Sequence, residues 1–143
     1  MRELPGQLSV DELTPLFSGR TRFVEELAEH QNPLGVAEDV ALALPESDQV
    51  AALATHPRIG EPSEEQRGAE PEVLEELARL NEAYEQRFGF GFVVFVNGRT
   101  RAELVPVLRE RLERERPDEL ETGLRELCAI ARARWEQGWT RTT

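Results

Sequence analysis

The stretch "PEVLEELARLNEAYEQRFGFGFVVFVNG" (residues 71–98) decides the fold class, because it joins a long helical pattern to the one segment that favours a strand. Pro71 suits the first turn of a helix, and Gly89 suits its end. Between them the apolar residues keep the spacing of one helix face. The pattern therefore predicts an amphipathic helix over about 71–89, whose buried face consists of Val73, Leu74, Leu77, Leu80, Tyr84 and Phe88.

The second part of this stretch, residues 88–98, favours a strand, because it is aromatic and β-branched and ends in Asn-Gly. No other segment is a convincing strand, and a lone strand leaves its backbone groups without partners. The segment is therefore either extended without a sheet or made helical by tertiary contacts. We predict an all-α, single-domain helical bundle over residues 1–143, in which this buried apolar segment is the irregular part.

Helix start signals recur along the rest of the chain. Ser9, Thr100 and Asp118 each precede a Glu by three residues, which predicts capping boxes. Ser47 is a further predicted cap, for a helix that must stop near Thr55 because a residue that precedes a proline avoids the α region. Besides 71–89, the sequence predicts helices near 10–17, 20–30, 34–44, 48–55, 100–116 (with a possible kink at Pro106) and 118–138.

Composition excludes several classes of function. The net charge of −11 argues against nucleic acid, which needs a basic face. No apolar run could span a bilayer, and the first residues lack a signal-peptide pattern, so we expect a cytoplasmic protein. All 17 positive side chains are Arg, so no Lys Schiff base can form. Cys128 is the single cysteine, His30 and His56 are far apart, and nothing indicates a metal or another cofactor.

The segment "THPRIGEPSEEQ" (residues 55–66) is the best candidate for a site. His56, before a proline and between two helices, either interacts with free carbonyls at a helix end or acts in catalysis. Ser63 and Gln66 either form a capping box or belong to a helix start that meets an anion. Arg134, in the last helix, is either a surface residue with a buried stem or an inward carboxylate clamp.

Four motifs together resemble the 2-oxo-4-hydroxy-4-carboxy-5-ureidoimidazoline (OHCU) decarboxylase family. They are "HPRIGE" (56–61), "EQ" (65–66), "LNEAYEQRFGFGFVVFVNG" (80–98) and "IARARW" (130–135), and the resemblance extends from about residue 17 to 135. It implies an all-helical fold and a cofactor-free decarboxylation of OHCU to (S)-allantoin in urate breakdown. It also implies that the protein is a homodimer and that it binds this small-molecule substrate.

The same resemblance implies the roles of individual residues. His56 would be the general acid/base, and Glu65 would act with it and raise its pKa. Pro62 stands where the family usually has Ser, and Ser63 follows one residue closer to Glu65. The substrate's own ring would accept the electron pair left by CO₂, so no Lys or cofactor is needed. The residues implied to bind the substrate are Pro57, Ser63, Gln66, Phe92, Val93, Val94, Phe95, Val96 and Arg134.

Two other functions remain open from the sequence. A non-catalytic helical interaction module would use the acidic surface and the apolar segment 88–96 to dock a partner. A paralogous decarboxylase would act on a related ureido-acid, which the shifted position of Ser63 would permit.

Overall fold

The computed structural model describes residues 4–56 and 71–138, and these ranges are helical with no β-strand. This confirms the predicted all-α class. None of the described helices is long and apolar enough to cross a membrane. The described helices are α1 (Val10–Leu13), a 3-10 turn (Thr14–Phe17), α2 (Arg22–Leu27), α3 (Pro33–Ala43), α4 (Glu46–Ala54), α5 (Pro71–Phe88), α6 (Arg101–Leu112) and α7 (Arg116–Glu136).

Helix α7 is the centre of the packing. It contacts α3, α4 and the 3-10 turn, while α5 packs mainly on α6. Its apolar positions recur at helical spacing, so one face stays in the core along its length. Gly123 marks the close approach to α4, because a Cβ there would lie 3.3 Å from Leu53 Cδ2. The buried apolar residues of α7 are Leu120, Leu124, Leu127, Cys128 and Ala131.

Two of the predicted capping boxes are confirmed. In the first, the Glu12 N–H donates to Ser9 Oγ at 3.1 Å, and the Ser9 N–H donates to Glu12 Oε1 at 3.0 Å. In the second, Thr100 and Glu103 make the same pair of bonds at 3.1 and 2.8 Å. Each box gives partners to two N–H groups that an uncapped helix start would leave unpaired.

The predicted caps at Ser47 and Asp118 are wrong. Helix α4 begins at Glu46 with Pro45 at the N-cap, and α7 begins at Arg116, with Pro117 in its first turn. The φ of proline is fixed near the helical value, and its missing N–H costs nothing in a first turn. Pro117 therefore starts α7 before Asp118, whereas α4 begins at Glu46 directly after Pro45, whose own backbone is extended with ψ at 148°.

The segment between α5 and α6 is the irregular part, as predicted. It leaves α5 at Gly89, where φ is +81°, and it ends in a turn at Asn97 and Gly98, where φ is +47° and +79°. Between these points the backbone is neither helix nor strand. Phe90, Phe92, Val93 and Val94 are buried in it, so the apolar sequence serves the core of the chain.

We expect Thr100→Ala to lower the free energy of unfolding by about 1 kcal/mol, because it removes the cap oxygen of α6. Thr100→Ser keeps that oxygen and serves as the matched control. Urea unfolding followed by circular dichroism gives both values. An unchanged midpoint in Thr100→Ala would contradict the contribution of the capping box.

Candidate active site

A cavity of about 360 Å³ lies between the end of α4 and the point where α5 gives way to the irregular segment. One wall is apolar and aromatic, and two titratable residues, His56 and Glu85, also line the cavity. Its lining residues are Leu53, Ala54, His56, Glu85, Gly89, Phe90, Gly91 and Phe92.

The end of α4 holds His56 in position. Thr55, the residue before it, donates its hydroxyl to the carbonyl of Phe17 at 2.8 Å and to that of Ala52 at 3.0 Å. A Cβ on Gly19 would lie 2.9 Å from Thr55 Cγ2, so the glycine allows this close contact. The backbone preceding His56 is therefore tied both to its own helix and to the 3-10 turn.

The environment of His56 favours its neutral form. Burial first, and the positive charge of Arg134 second, lower the pKa of His56 from 6.5 to about 4. Its Nε2 is buried and has no hydrogen-bond partner among the described residues. The raised pKa that we expected from Glu65 is therefore not what the structure shows, and Glu65 itself lies outside the described residues. At neutral pH the side chain is an imidazole that can accept a proton.

Arg134 points inward and is not a surface residue with a buried stem. Its side chain is 8% exposed, and Nη1 donates to the carbonyls of Pro15 and Leu16 at 3.3 and 3.2 Å and to Ser18 Oγ at 2.6 Å. These contacts fix the guanidinium group close enough to His56 to affect its pKa. Arg134 does not itself line the cavity, but its buried cation lies near the neutral base that does, an arrangement suited to a small anionic molecule.

The predicted segment Phe92–Val96 reaches the site only in part. Phe92 lines the cavity, while Val93 and Val94 are buried. Side chains bind its backbone at several points: the carbonyl of Val93 accepts from Arg111 Nη1 at 2.8 Å, and the N–H of Phe95 donates to Glu126 Oε1 at 3.2 Å. Arg99 donates to the carbonyls of Phe95 and Val96 at 2.6 and 3.1 Å. Charged side chains therefore take the place of a neighbouring strand.

Four predicted site residues cannot be placed. Pro57, Ser63, Glu65 and Gln66 lie outside the described residues, so their roles stay predictions. The structure adds Glu85, which the sequence reasoning passed over as one more acidic residue of α5. A signal was available, because Glu85 precedes Gly89 by four residues and so lies one turn before the helix end.

Cys128 is not a candidate nucleophile. It is buried in α7, and this burial raises the pKa of its thiol to about 12. A thiol in this environment stays protonated and inert.

The sequence and the fold of this chain are similar to those of known proteins. A family model described as OHCU decarboxylase matches residues 10–136. A uric acid degradation bifunctional protein of Bacillus subtilis is 37% identical over 98 residues, which are 60% of this chain and 20% of that protein. The 2-oxo-4-hydroxy-4-carboxy-5-ureidoimidazoline decarboxylase of Haloferax volcanii is 29% identical over 131 residues, and the match covers 78% of each chain.

A solved structure agrees with these matches. The crystal structure of OHCU decarboxylase in the presence of (S)-allantoin has a TM-score of 0.79 at 28% identity, and covers 92% of this chain and 99% of that one. The curated relatives differ in length. The chain spans about a fifth of the Bacillus subtilis protein and of the bifunctional uric acid degradation protein of Arabidopsis thaliana.

We expect the buried His56 to make stability depend on pH. Its pKa is about 4 in the folded chain and about 6.5 in the unfolded chain, so the unfolded state binds more protons between these values. The stability that it contributes is complete above pH 6.5 and is lost as the pH falls through 4. The loss amounts to at most about 3 kcal/mol.

His56→Gln tests this dependence, because the carboxylates common to both proteins cancel when the two unfolding free energies are subtracted at each pH. The variant should lose less stability than the wild type between pH 7 and pH 4. His30→Gln replaces the exposed histidine and is the control, which should follow the wild type. Parallel curves for His56→Gln and the wild type would show that burial does not suppress protonation of His56.

Proposed function

The chain belongs to the OHCU decarboxylase family, and we propose that it decarboxylates OHCU to (S)-allantoin in uric acid breakdown. The family model covers residues 10–136, which include His56, Arg134 and the aromatic wall of the cavity. The observation that carries the proposal is the cavity itself, which is lined by a buried neutral imidazole whose pKa is affected by the nearby buried guanidinium group of Arg134. The substrate would be bound and turned over there without a cofactor.

The charged groups in and near the cavity match the two ends of the proposed substrate. OHCU carries a carboxylate at C4 and a ureido group, rich in N–H donors, at C5. The positive charge of Arg134 would attract the carboxylate, and the carboxylate of Glu85 would accept hydrogen bonds from the ureido group. Phe90 and Phe92 line the cavity as an apolar wall, against which a flat ring would pack. Such contacts would hold the substrate in one orientation.

In the proposed reaction His56 first accepts one proton from the substrate and then returns it. When CO₂ leaves C4, the electron pair moves into the ring, whose own C=N bond accepts it and takes a proton from solvent. The C4 hydroxyl is then an enol. The neutral His56 would accept the hydroxyl proton and return it to C5, giving the C4 carbonyl. The low pKa of His56 makes its protonated form a strong acid, which favours the second transfer.

The handedness of the product would follow from the position of His56. A fixed imidazole can deliver its proton to one face of C5 only, and its backbone is anchored through Thr55. In this proposal Glu65 orients the imidazole, and Pro57, Ser63 and Gln66 contact the substrate, as the family resemblance implies. Product of a single hand is therefore the expected consequence of a well-placed base.

The interaction module is less well supported than the enzyme. Its docking surface would be the apolar segment 88–96, but Phe88, Phe90, Phe92, Val93 and Val94 are buried within their own chain. The same burial removes this segment as the basis for a dimer interface. We still propose a cytoplasmic homodimer of single-domain chains, as the family resemblance implies, and sedimentation of the purified protein would test its oligomeric state.

We expect the wild-type protein to consume freshly generated OHCU and to form (S)-allantoin. His56→Asn and Glu65→Ala should each lower kcat by about 10²- to 10⁴-fold, the range typical of general acid–base catalysis. The assay follows the loss of OHCU absorbance, and circular dichroism of the product gives its handedness.

The controls separate catalysis from folding. His30→Asn and Glu82→Ala make the same chemical changes at exposed positions away from the cavity and should keep wild-type rates. Helical circular dichroism confirms that each variant is folded. Full activity in His56→Asn or in Glu65→Ala would remove that residue from the mechanism, and an inactive wild type would refute the proposed function.

A further inference from the structure

A buried cluster of polar side chains lies behind the aromatic wall of the cavity. Glu119 is 0% exposed, and its Oε1 accepts from Arg111 Nε at 2.7 Å and from the Tyr84 hydroxyl at 2.6 Å. Its Oε2 accepts from Arg114 Nη1 at 2.9 Å. Three helices meet at this carboxylate, because Tyr84 lies on α5, Arg111 on α6 and Glu119 on α7. None of these residues lines the cavity.

Arg111 connects the cluster to the cavity wall. Its Nη1 donates to the carbonyl of Val93 at 2.8 Å, and its guanidinium carbon lies 4.5 Å from the centre of the Phe92 ring. The Tyr84 ring packs edge-on against the same ring at a centroid distance of 5.2 Å. Phe92 in turn lines the cavity. Arg111 alone therefore contacts both the backbone of this wall, at Val93, and its aromatic ring, at Phe92.

Stability alone does not account for this cluster. Burying a carboxylate and a guanidinium group is costly, and well-packed apolar residues often replace buried ion pairs without loss of stability. What apolar residues cannot do is donate a hydrogen bond to the buried carbonyl of Val93, in a segment that has no neighbouring strand. The planar fork of Arg can bond Glu119 and Val93 at once, whereas the single ammonium of Lys cannot reproduce that geometry.

The Tyr84 hydroxyl reinforces this arrangement. Burial first, and the hydrogen bond to Glu119 second, raise the pKa of Tyr84 well above its ordinary value of 10. The hydroxyl therefore stays protonated and donates to Glu119 at any physiological pH. Glu119 is thus held from two sides, and it fixes the direction in which Arg111 points.

We infer that Arg111, held by Glu119 and Tyr84, is a positioning residue that sets the place of Phe92 and Val93 in the wall of the active site. The inference rests on the proposed function, because the wall matters only if substrate binds in the cavity. Arg111 touches no substrate in this scheme and acts through the segment that it holds. Its loss would displace the wall and so weaken both binding and turnover.

The test compares Arg111→Met with Arg109→Met. Both replace an Arg of α6 by an apolar side chain, but Arg109 is 61% exposed and pairs with Glu76 at the surface. We expect Arg111→Met to lower kcat/KM by about ten- to a hundredfold, since small displacements in an active site have effects of this size. Part of this loss should be a raised KM. Arg109→Met should keep the wild-type kcat/KM.

Binding and rescue distinguish positioning from a merely structural role. All rates are measured well below the melting temperature of each variant, where the whole sample is folded. Arg111→Met should bind (S)-allantoin more weakly than the wild type by calorimetry, and it should form product of lower enantiomeric purity. Arg111→Lys should not restore kcat/KM, whereas Tyr84→Phe, which removes only one bond to Glu119, should cause a smaller loss.

The outcomes are separable from those of the proposed function. If the wild type does not convert OHCU, both the function and this inference are refuted. If the wild type is active and folded Arg111→Met keeps its kcat/KM, its KM and its affinity for (S)-allantoin, the inference alone is refuted. If Arg111→Met does not fold, the test uses Arg111→Lys and Tyr84→Phe instead. Wild-type kcat/KM in both of these variants would overturn the inference.

Discussion

The hydrogen bond from Arg111 to the carbonyl of Val93 is the contact on which the site depends. The segment between α5 and α6 is too apolar to leave the core, yet it has no strand beside it to pair its backbone. Arg111 on α6 and Glu126 on α7 provide some of those partners, and Arg99, which follows the turn at the end of the segment, provides the others. The position of this wall therefore depends on the side chains that bind its backbone. One of them, Arg111, is in turn held by the fully buried carboxylate of Glu119.

Burial also determines the chemistry available at His56. In a wetter position the imidazole would be partly protonated near neutral pH, but in the cavity desolvation and the charge of Arg134 keep it neutral. A cation and a neutral base close together suit an anionic substrate that must lose a proton from oxygen and gain one at carbon. The proposed decarboxylation makes both demands, and the substrate's own ring replaces a cofactor as the acceptor of electrons.

Much of the fold could be predicted, because helix formation is largely a local matter. The spacing of apolar residues and the capping boxes at Ser9 and Thr100 gave the helices within a few residues. The predictions at Ser47 and Asp118 were wrong, because α4 begins directly after Pro45 and α7 begins with Pro117 in its first turn. At the site, the structure shows His56 in the lining of a cavity, where its catalytic role stays a prediction, and the expected sign of its pKa shift was not found. That shift depends on burial and on a charge from the far end of the chain.

The amino-acid sequence by itself determined the helical class, the irregular segment and the family to which the chain belongs. These follow from periodicity, from propensity and from motifs that are readable along the chain. Only the tertiary structure decided which charges are buried: Arg111 and Arg134 point inward while Arg109 remains at the surface. Helical spacing places Arg111 on the face of Leu104 and Leu108 and Arg109 on the opposite face. Whether that face can bury a charge still depends on Glu119 and Tyr84, partners that only folding brings beside Arg111.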